Sequence, residues 1–193
     1  MYEKYGQFID GKWHKSSTGE TYEVINPANE EIIGKASKAS PEDVDKALLS
    51  AQKGLEVWKK TPPWQRAYIL RRIADKMREK QDILAKWMTL EVGKPFAEAK
   101  GEVNGAADIY EWNAEETKRI YGQTVESRFE DTRVHVYYQP VGVVAALVPW
   151  NFPLVLSARK ISTALAAGCS VIVKPDVITP GVVMEQVEIC REC

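Results

Sequence analysis

Apolar positions along this chain recur with two different periods, and the switches between them mark its elements. Over the first forty residues the runs are short. Gln7–Ile9 and Lys12–His14 flank Asp10-Gly11, a strong two-residue hairpin signal. Thr21–Ile25 and Glu31–Ala36 lie on either side of Asn26-Pro27-Ala28-Asn29, a turn by composition. Antiparallel strands serving as packing or assembly surface are expected there. At Ser40-Pro41-Glu42-Asp43 the period becomes helical, with Ser40 as cap, proline in the first turn and acids near the positive end of the helix dipole. Val44, Ala47, Leu48, Ala51, Leu55 and Trp58 then form the spacing of one buried face. After Thr61-Pro62-Pro63 a second helix carries Ala67, Leu70, Ile73 and Met77. It pauses near Gln81-Asp82 and resumes through Leu84, Trp87, Met88 and Leu90 to the stop at Gly93-Lys94-Pro95. A longer helix is predicted from Phe96 to about Tyr121, with Ala99, Val103, Ala106 and Tyr110 on one side. The period predicts core roles, rather than a ligand platform, for the aromatic residues of these helices.

Beyond that helix the period returns to two. Arg133–Tyr138 alternates Val134, Val136 and Tyr138 against Arg133, His135 and Tyr137, a strand with one buried face. Val143–Val148 is continuously apolar, as in a parallel strand buried on both faces. Pro149-Trp150-Asn151-Phe152-Pro153 interrupts it. A helix of about 15 residues follows from Pro153 to Gly168, about 22 Å long. Ser170–Lys174 is a second strand, stopped by Pro175. Strand, turn, helix and strand make a right-handed parallel crossover. The fold class is therefore α/β: N-terminal helices and antiparallel strands leading into an incomplete Rossmann-like parallel sheet. Proline and glycine at Gln139-Pro140-Val141-Gly142 suggest a boundary between residues 1–140 and residues 141–193.

Composition narrows the classes. The 193 residues are 45% hydrophobic, and 26 Lys and Arg balance 27 Asp and Glu, leaving a net charge of -1. This offers no electrostatic case for nucleic acid or an anionic membrane. Val141–Ala158 is uncharged, but Pro149, Asn151 and Pro153 argue against a spanning helix. The N-terminus lacks the basic start and apolar core of a signal peptide, and three cysteines do not make a secreted framework, so a cytoplasmic location is expected.

The crossover also places chemistry. Asn151 and Lys174 each follow the carboxyl end of a strand, at the edge where open α/β sheets bind ligands. Cys169 enters its strand at the opposite end, about 16 Å from Lys174 at about 3.3 Å per residue. G-x-G-x-x-G and P-loop patterns are absent, His14 and His135 are isolated, and Asp176 and Glu185 lack metal-ligand spacing. Cys190 and Cys193 share a helix face without the partners of a four-ligand zinc site. On residues alone, Lys174 is either a ligand contact or a solvated lysine ending a strand.

Val148-Pro149-Trp150-Asn151-Phe152-Pro153, Arg159-Lys160, Ala164–Gly168, Val171–Pro175 and Thr179-Pro180 closely resemble the aldehyde dehydrogenase superfamily. Asn26-Pro27-Ala28, the helix from Pro41, and Glu91-Val92-Gly93-Lys94-Pro95 extend the likeness over essentially the whole chain. The resemblance covers the N-terminal part, less than half, of a typical member. It implies oxidation of a small-molecule aldehyde to a carboxylic acid by a cysteine thiolate, hydride transfer to NAD or NADP, and hydrolysis of the thioester. By the same resemblance Asn151 is the oxyanion-hole amide. Leu147, Val148, Pro149 and Trp150 line the cofactor crevice, and Lys174 contacts the adenosine ribose or an NADP 2′-phosphate.

The chain departs from the family pattern in three ways. Val177 stands where members often carry an acid for the ribose hydroxyls, which favours NADP over NAD. The family's nucleophilic cysteine and its general-base glutamate are not matched by any residue here. Arg159 is found in members similar to succinate-semialdehyde and lactaldehyde dehydrogenases, where it can pair with a substrate carboxylate. A surface arginine paired locally is the equal alternative.

The expectation is thus a truncated enzyme chain, inactive alone, with apolar surface left exposed and a homo-oligomeric full-length form. A short noncatalytic relative acting as an assembly or regulatory partner is the second reading. A third, an unrelated helical interaction module, requires that the crossover around Asn151 not form.

Overall fold

The computed structural model of the chain describes residues 2–193. β1 (Gln7–Ile9) and β2 (Lys12–His14) pair antiparallel around Asp10 and Gly11, both at positive φ (49° and 75°), the conformation a tight two-residue hairpin demands. β3 (Thr21–Ile25) pairs with β4 (Ile32–Ser37), which starts and ends one residue later than expected. α1 (Pro41–Trp58) opens with a capping box. Asp43 N–H donates to Ser40 Oγ at 3.1 Å, and Ser40 N–H donates to Asp43 Oδ2 at 3.0 Å. Donors from Ser40 and Ser17 hold the Asp43 carboxyl down at about 2.

α2 (Pro63–Glu79) and α3 (Gln81–Val92) break at Lys80, and α3 ends on left-handed Gly93 (φ 75°). α4 (Phe96–Thr117) packs along α2 and α3, burying Leu70, Met77, Met88, Val103 and Tyr110. β5 (Gln123–Glu126) and β6 (Arg133–Val136) form an antiparallel ribbon. β7 (Val143–Leu147), α5 (Pro153–Ala166) and β8 (Ser170–Lys174) form the expected crossover, with the strands parallel from Val143↔Ser170 to Leu147↔Lys174. α6 (Pro180–Glu192) closes the described chain. The helical-module reading fails here, because the crossover it excludes is formed.

α5 rides on α4, where Asn113 Nδ2 donates to Ser162 Oγ at 2.9 Å, and α1 packs against β8 and β7. Trp58 Nε1 donates to the Leu165 carbonyl at 2.8 Å, tying the end of α1 to α5. Buried Leu154, Ile161 and Ile189 join the α2–α4 core, so one hydrophobic cluster runs through both sides of Gln139–Gly142.

Three burial expectations are corrected. On α1, Val44 and Leu48 are 52% and 40% exposed, because the helix meets its neighbours mainly through Ala47, Ala51, Leu55 and Trp58. On β6, Val134 is 44% exposed, since the strand is covered only by its pairing with β5. Tyr137 and Tyr138 lie beyond that strand and are exposed. β7 is not buried on both faces: Ala146 is buried while Ala145 and Leu147 are open. The long helix also stops at Thr117, four residues early, and residues 118–121 form a turn and connecting chain that lead into β5.

Candidate functional site

Leu147 and Lys174 are register partners at the carboxyl ends of their strands, and Val148 N–H donates to the Lys174 carbonyl at 3.0 Å. Pro149, which has no N–H, follows. The chain turns over Pro149–Phe152 into α5, so Asn151 and Lys174 share one sheet edge as the spacing predicts. Of the five residues matched to a cofactor crevice, Val148 is buried, while Leu147 (64%), Trp150 (49%), Pro149 and Lys174 are exposed. Lys160 Nζ donates to the Leu147 carbonyl at 2.7 Å, bracing this edge from α5. Among the described residues the Lys174 ammonium pairs with no carboxylate.

Asn151 opens on a different side of the turn, into a groove of about 510 Å³ between α4 and α5. Lys94, Glu98, Glu102, Phe152, Val155 and Arg159 line it with Gly101, Gly105 and Leu156. The structure therefore brings Asn151 and Arg159 into one groove and leaves Leu147, Val148, Pro149, Trp150 and Lys174 along the strand edge beside it. Neither the Asn151 carboxamide nor the Arg159 guanidinium has a hydrogen-bond or acidic partner among the described residues. The local ion pair weighed for Arg159 is not formed among them.

Two groups in this groove carry no role in the sequence reading. α5 begins without a side-chain cap of its own. Its first free N–H groups, those of Leu154 and Val155, donate instead to Glu102 Oε1 of α4 at 3.0 and 3.2 Å. Lys94 Nζ pairs with Glu102 Oε2 and stands 3.9 Å over the Phe152 ring. A signal for Glu102 exists in the sequence: it falls on the same helical face as Ala99, Val103 and Ala106, a charge inside an apolar stripe. Lys94 is visible there only as part of a helix stop.

The cysteines lie elsewhere. Cys169 is buried at the start of β8, its N–H donating to the Ala164 carbonyl at 2.9 Å. Cys190 lies 3.7 Å from Tyr110 Oη, and burial pushes its thiol up to about 12. Burial also raises the Cys193 thiol. None of the three lines the groove.

A parallel crossover with a free ammonium and open apolar side chains at its carboxyl edge places these groups where open α/β sheets bind their ligands. The chain belongs to the aldehyde dehydrogenase family, whose profile matches residues 13–193. It is 47% identical over 173 residues to a glutarate-semialdehyde dehydrogenase of Pseudomonas aeruginosa, covering 90% of this chain and 36% of that protein. To the NADP(+) succinate-semialdehyde dehydrogenase GabD of Escherichia coli it is 46% identical over 172 residues, covering 89% and 36%. Among solved structures, an E. coli NADP-dependent enzyme superposes with a TM-score of 0.95 at 42% identity, over 98% of this chain and 40% of its own. A betaine aldehyde dehydrogenase from Staphylococcus aureus in complex with NAD+ superposes at 0.95 with 34% identity, over 98% and 39%. The chain thus spans well under half the length of the relatives it matches.

Proposed function

We propose that this chain supplies the cofactor edge and oxyanion donor of an NAD(P)-dependent oxidoreductase that converts a carboxylate-bearing aldehyde to the corresponding acid. The observation that carries the reading is that Asn151 and Arg159 line one groove beside the open edge of β7 and β8. Asn151 offers an unpaired, neutral N–H donor, the kind of group that stabilises a developing oxyanion without competing for its proton. Arg159 sits six residues beyond Pro153, about 9 Å along α5. A short substrate with its aldehyde oxygen at Asn151 would direct a distal carboxylate to the guanidinium. The relatives named for glutarate and succinate semialdehydes act on aldehydes of that kind.

A dinucleotide fits the other side of the turn. Leu147 and Trp150 present open apolar surface, Val148 and Pro149 complete the strand end, and Lys174 has a free ammonium. When bound, NAD(P)+ supplies the hydride acceptor. Val177, exposed and without a carboxylate, leaves space for a 2′-phosphate near Lys174 and favours NADP. Residues 141–193 are the first βαβ unit of the nucleotide-binding domain in this reading, residues 1–140 its helical and strand-bearing N-terminal region, and self-association its working state in a cytoplasmic setting. No described thiol reaches the groove, so these residues supply the oxyanion donor without the nucleophile.

Calorimetric titration of the 193-residue chain tests the reading. NADP+ is expected to bind more tightly than NAD+, and Lys174→Ala to weaken NADP+ by about tenfold or more, the scale of a charge-assisted hydrogen bond. Val177→Glu is expected to shift preference toward NAD+. Absence of binding by either dinucleotide refutes the cofactor assignment. Succinate semialdehyde with NADP+ is expected to yield no NADPH with this chain; turnover that Cys169→Ala abolishes would overturn the placement of that cysteine.

A further inference from the structure

We infer that Lys94 and Glu102 act as a positioning pair that fixes the Asn151–Phe152 turn from two sides. Glu102 is fixed in the second turn of α4 with a side chain only 2% exposed. One of its oxygens takes both free N–H groups at the start of α5, two and three residues beyond Phe152. The other oxygen takes the Lys94 ammonium, itself 10% exposed. Lys94 follows left-handed Gly93 and precedes Pro95, so its backbone is held between two restricted residues. From that fixed base its ammonium also faces the Phe152 ring at 3.9 Å, a cation–π contact on the residue next to Asn151.

The chain on the C-terminal side of Asn151 is thereby held by three contacts that converge on one ion pair. Phe152 cannot accept a hydrogen bond from its side chain, so nothing local replaces Glu102 at this helix start. Lys94 is needed in turn because a buried carboxylate without a counter-charge is strongly unfavourable. A preorganised donor stabilises charge only if it is already in place, and displacement by about 1 Å can cost about a hundredfold in rate. The catalytic value of the pair rests on the proposed role of Asn151. The fixing of the turn does not, so calorimetry of the dinucleotide and the measurement below can fail separately.

The test is ¹H–¹⁵N spectroscopy and amide exchange on the 193-residue chain. Lys94→Met keeps the apolar stem and removes the charge. It is expected to broaden or shift the Asn151 carboxamide resonances and to speed exchange at Leu154 and Val155 by about tenfold or more. Leu70 and Met88, in the α2–α3 core, should keep their protection. Lys94→Arg should restore the Asn151 signals, since a guanidinium can pair with Glu102 and face the ring. Glu102→Gln keeps an acceptor for α5 while discharging the pair, and should resemble Lys94→Met if the ion pair, not the acceptor alone, does the positioning. Unchanged Asn151 resonances in Lys94→Met overturn the inference. Equal acceleration at Leu70 and Met88 overturns it too, by showing a general contribution to stability.

Discussion

Glu91 is fully buried in the last turn of α3, where it accepts hydrogen bonds from the Tyr2 hydroxyl (2.6 Å), Gly181 N–H (2.6 Å) and Val182 N–H (3.1 Å). The three donors pull its carboxyl down, but burial outweighs them and pushes it up to about 7 from an ordinary 4.5. The folded state therefore keeps a proton that the unfolded state releases at lower pH. The resulting stabilisation is full below about 4.5 and is lost as pH rises through about 7. About 3 kcal/mol is at stake on the scale of 1.36 kcal/mol per unit. Urea unfolding between pH 4.5 and 7.5 should show falling stability, and Glu91→Gln should flatten that slope while lowering stability throughout. An unchanged slope in the variant would remove Glu91 as its source. Residues of this kind were only half legible in the sequence. Asn151 and Lys174 could be placed because Pro149 and Pro175 mark the strand ends, and Cys169 because Gly168 marks the end of the helix before its strand. Glu91, Lys94 and Glu102 could not be given roles, because a charge in an apolar stripe shows burial without naming its partner, and the partners of Glu91 lie about ninety positions away at either end of the chain.

The helix starts show the same division at the level of elements. α1 carries its own cap, Ser40 with Asp43, and its start was readable from four consecutive residues. α5 and α6 have no side-chain cap and borrow carboxylates, Glu102 for α5 and Glu91 for α6. For α6 the loan demands close approach. A Cβ at Gly181 would collide with the Trp87 ring and stand 2.7 Å from Glu91 Oε1. Gly181→Ala should therefore destabilise by about 1–3 kcal/mol as overpacking does, lowering Tm by about 2–4 °C per kcal/mol. Gly54→Ala is the control with the opposite sign. It lies in α1 with open space around it, and should stabilise by about 0.5–1 kcal/mol through helix propensity. Thermal melts of the two variants decide the matter; a Gly181→Ala melt equal to the wild type would mean that α6 does not need this approach. β5 was missed for a related reason. Gln123–Glu126 holds one apolar residue, Val125, and its strand exists only through pairing with β6.

At the scale of the molecule, the described chain has one continuous core and several uncovered apolar surfaces. The core holds the crossover to α4, but the sheet of β7 and β8 has two strands only, with Leu147, Trp150, Val177 and Ile178 open beside it. The ribbon of β5 and β6 is also two-stranded and shows Val125, Phe129 and Val134 to solvent. Two-stranded ribbons are marginal in water, and their free edges and apolar faces are templates for further pairing. Single exposed apolar residues need no explanation, but a ribbon with little other cover gains most from a second surface. Self-association through this ribbon is therefore the expected behaviour of the chain. Sedimentation velocity over rising protein concentration should show a shift to larger species. Val134→Lys should weaken that shift by about tenfold or more, since a buried Val side chain is worth about 1.5–3 kcal/mol. Its Tm at low concentration should be unchanged, because Val134 contributes little to the monomer core. Leu147→Lys separates the two surfaces: if it abolishes association while Val134→Lys does not, the open sheet edge rather than the ribbon is the contact, and a single sedimenting species at every concentration would show that neither surface is used.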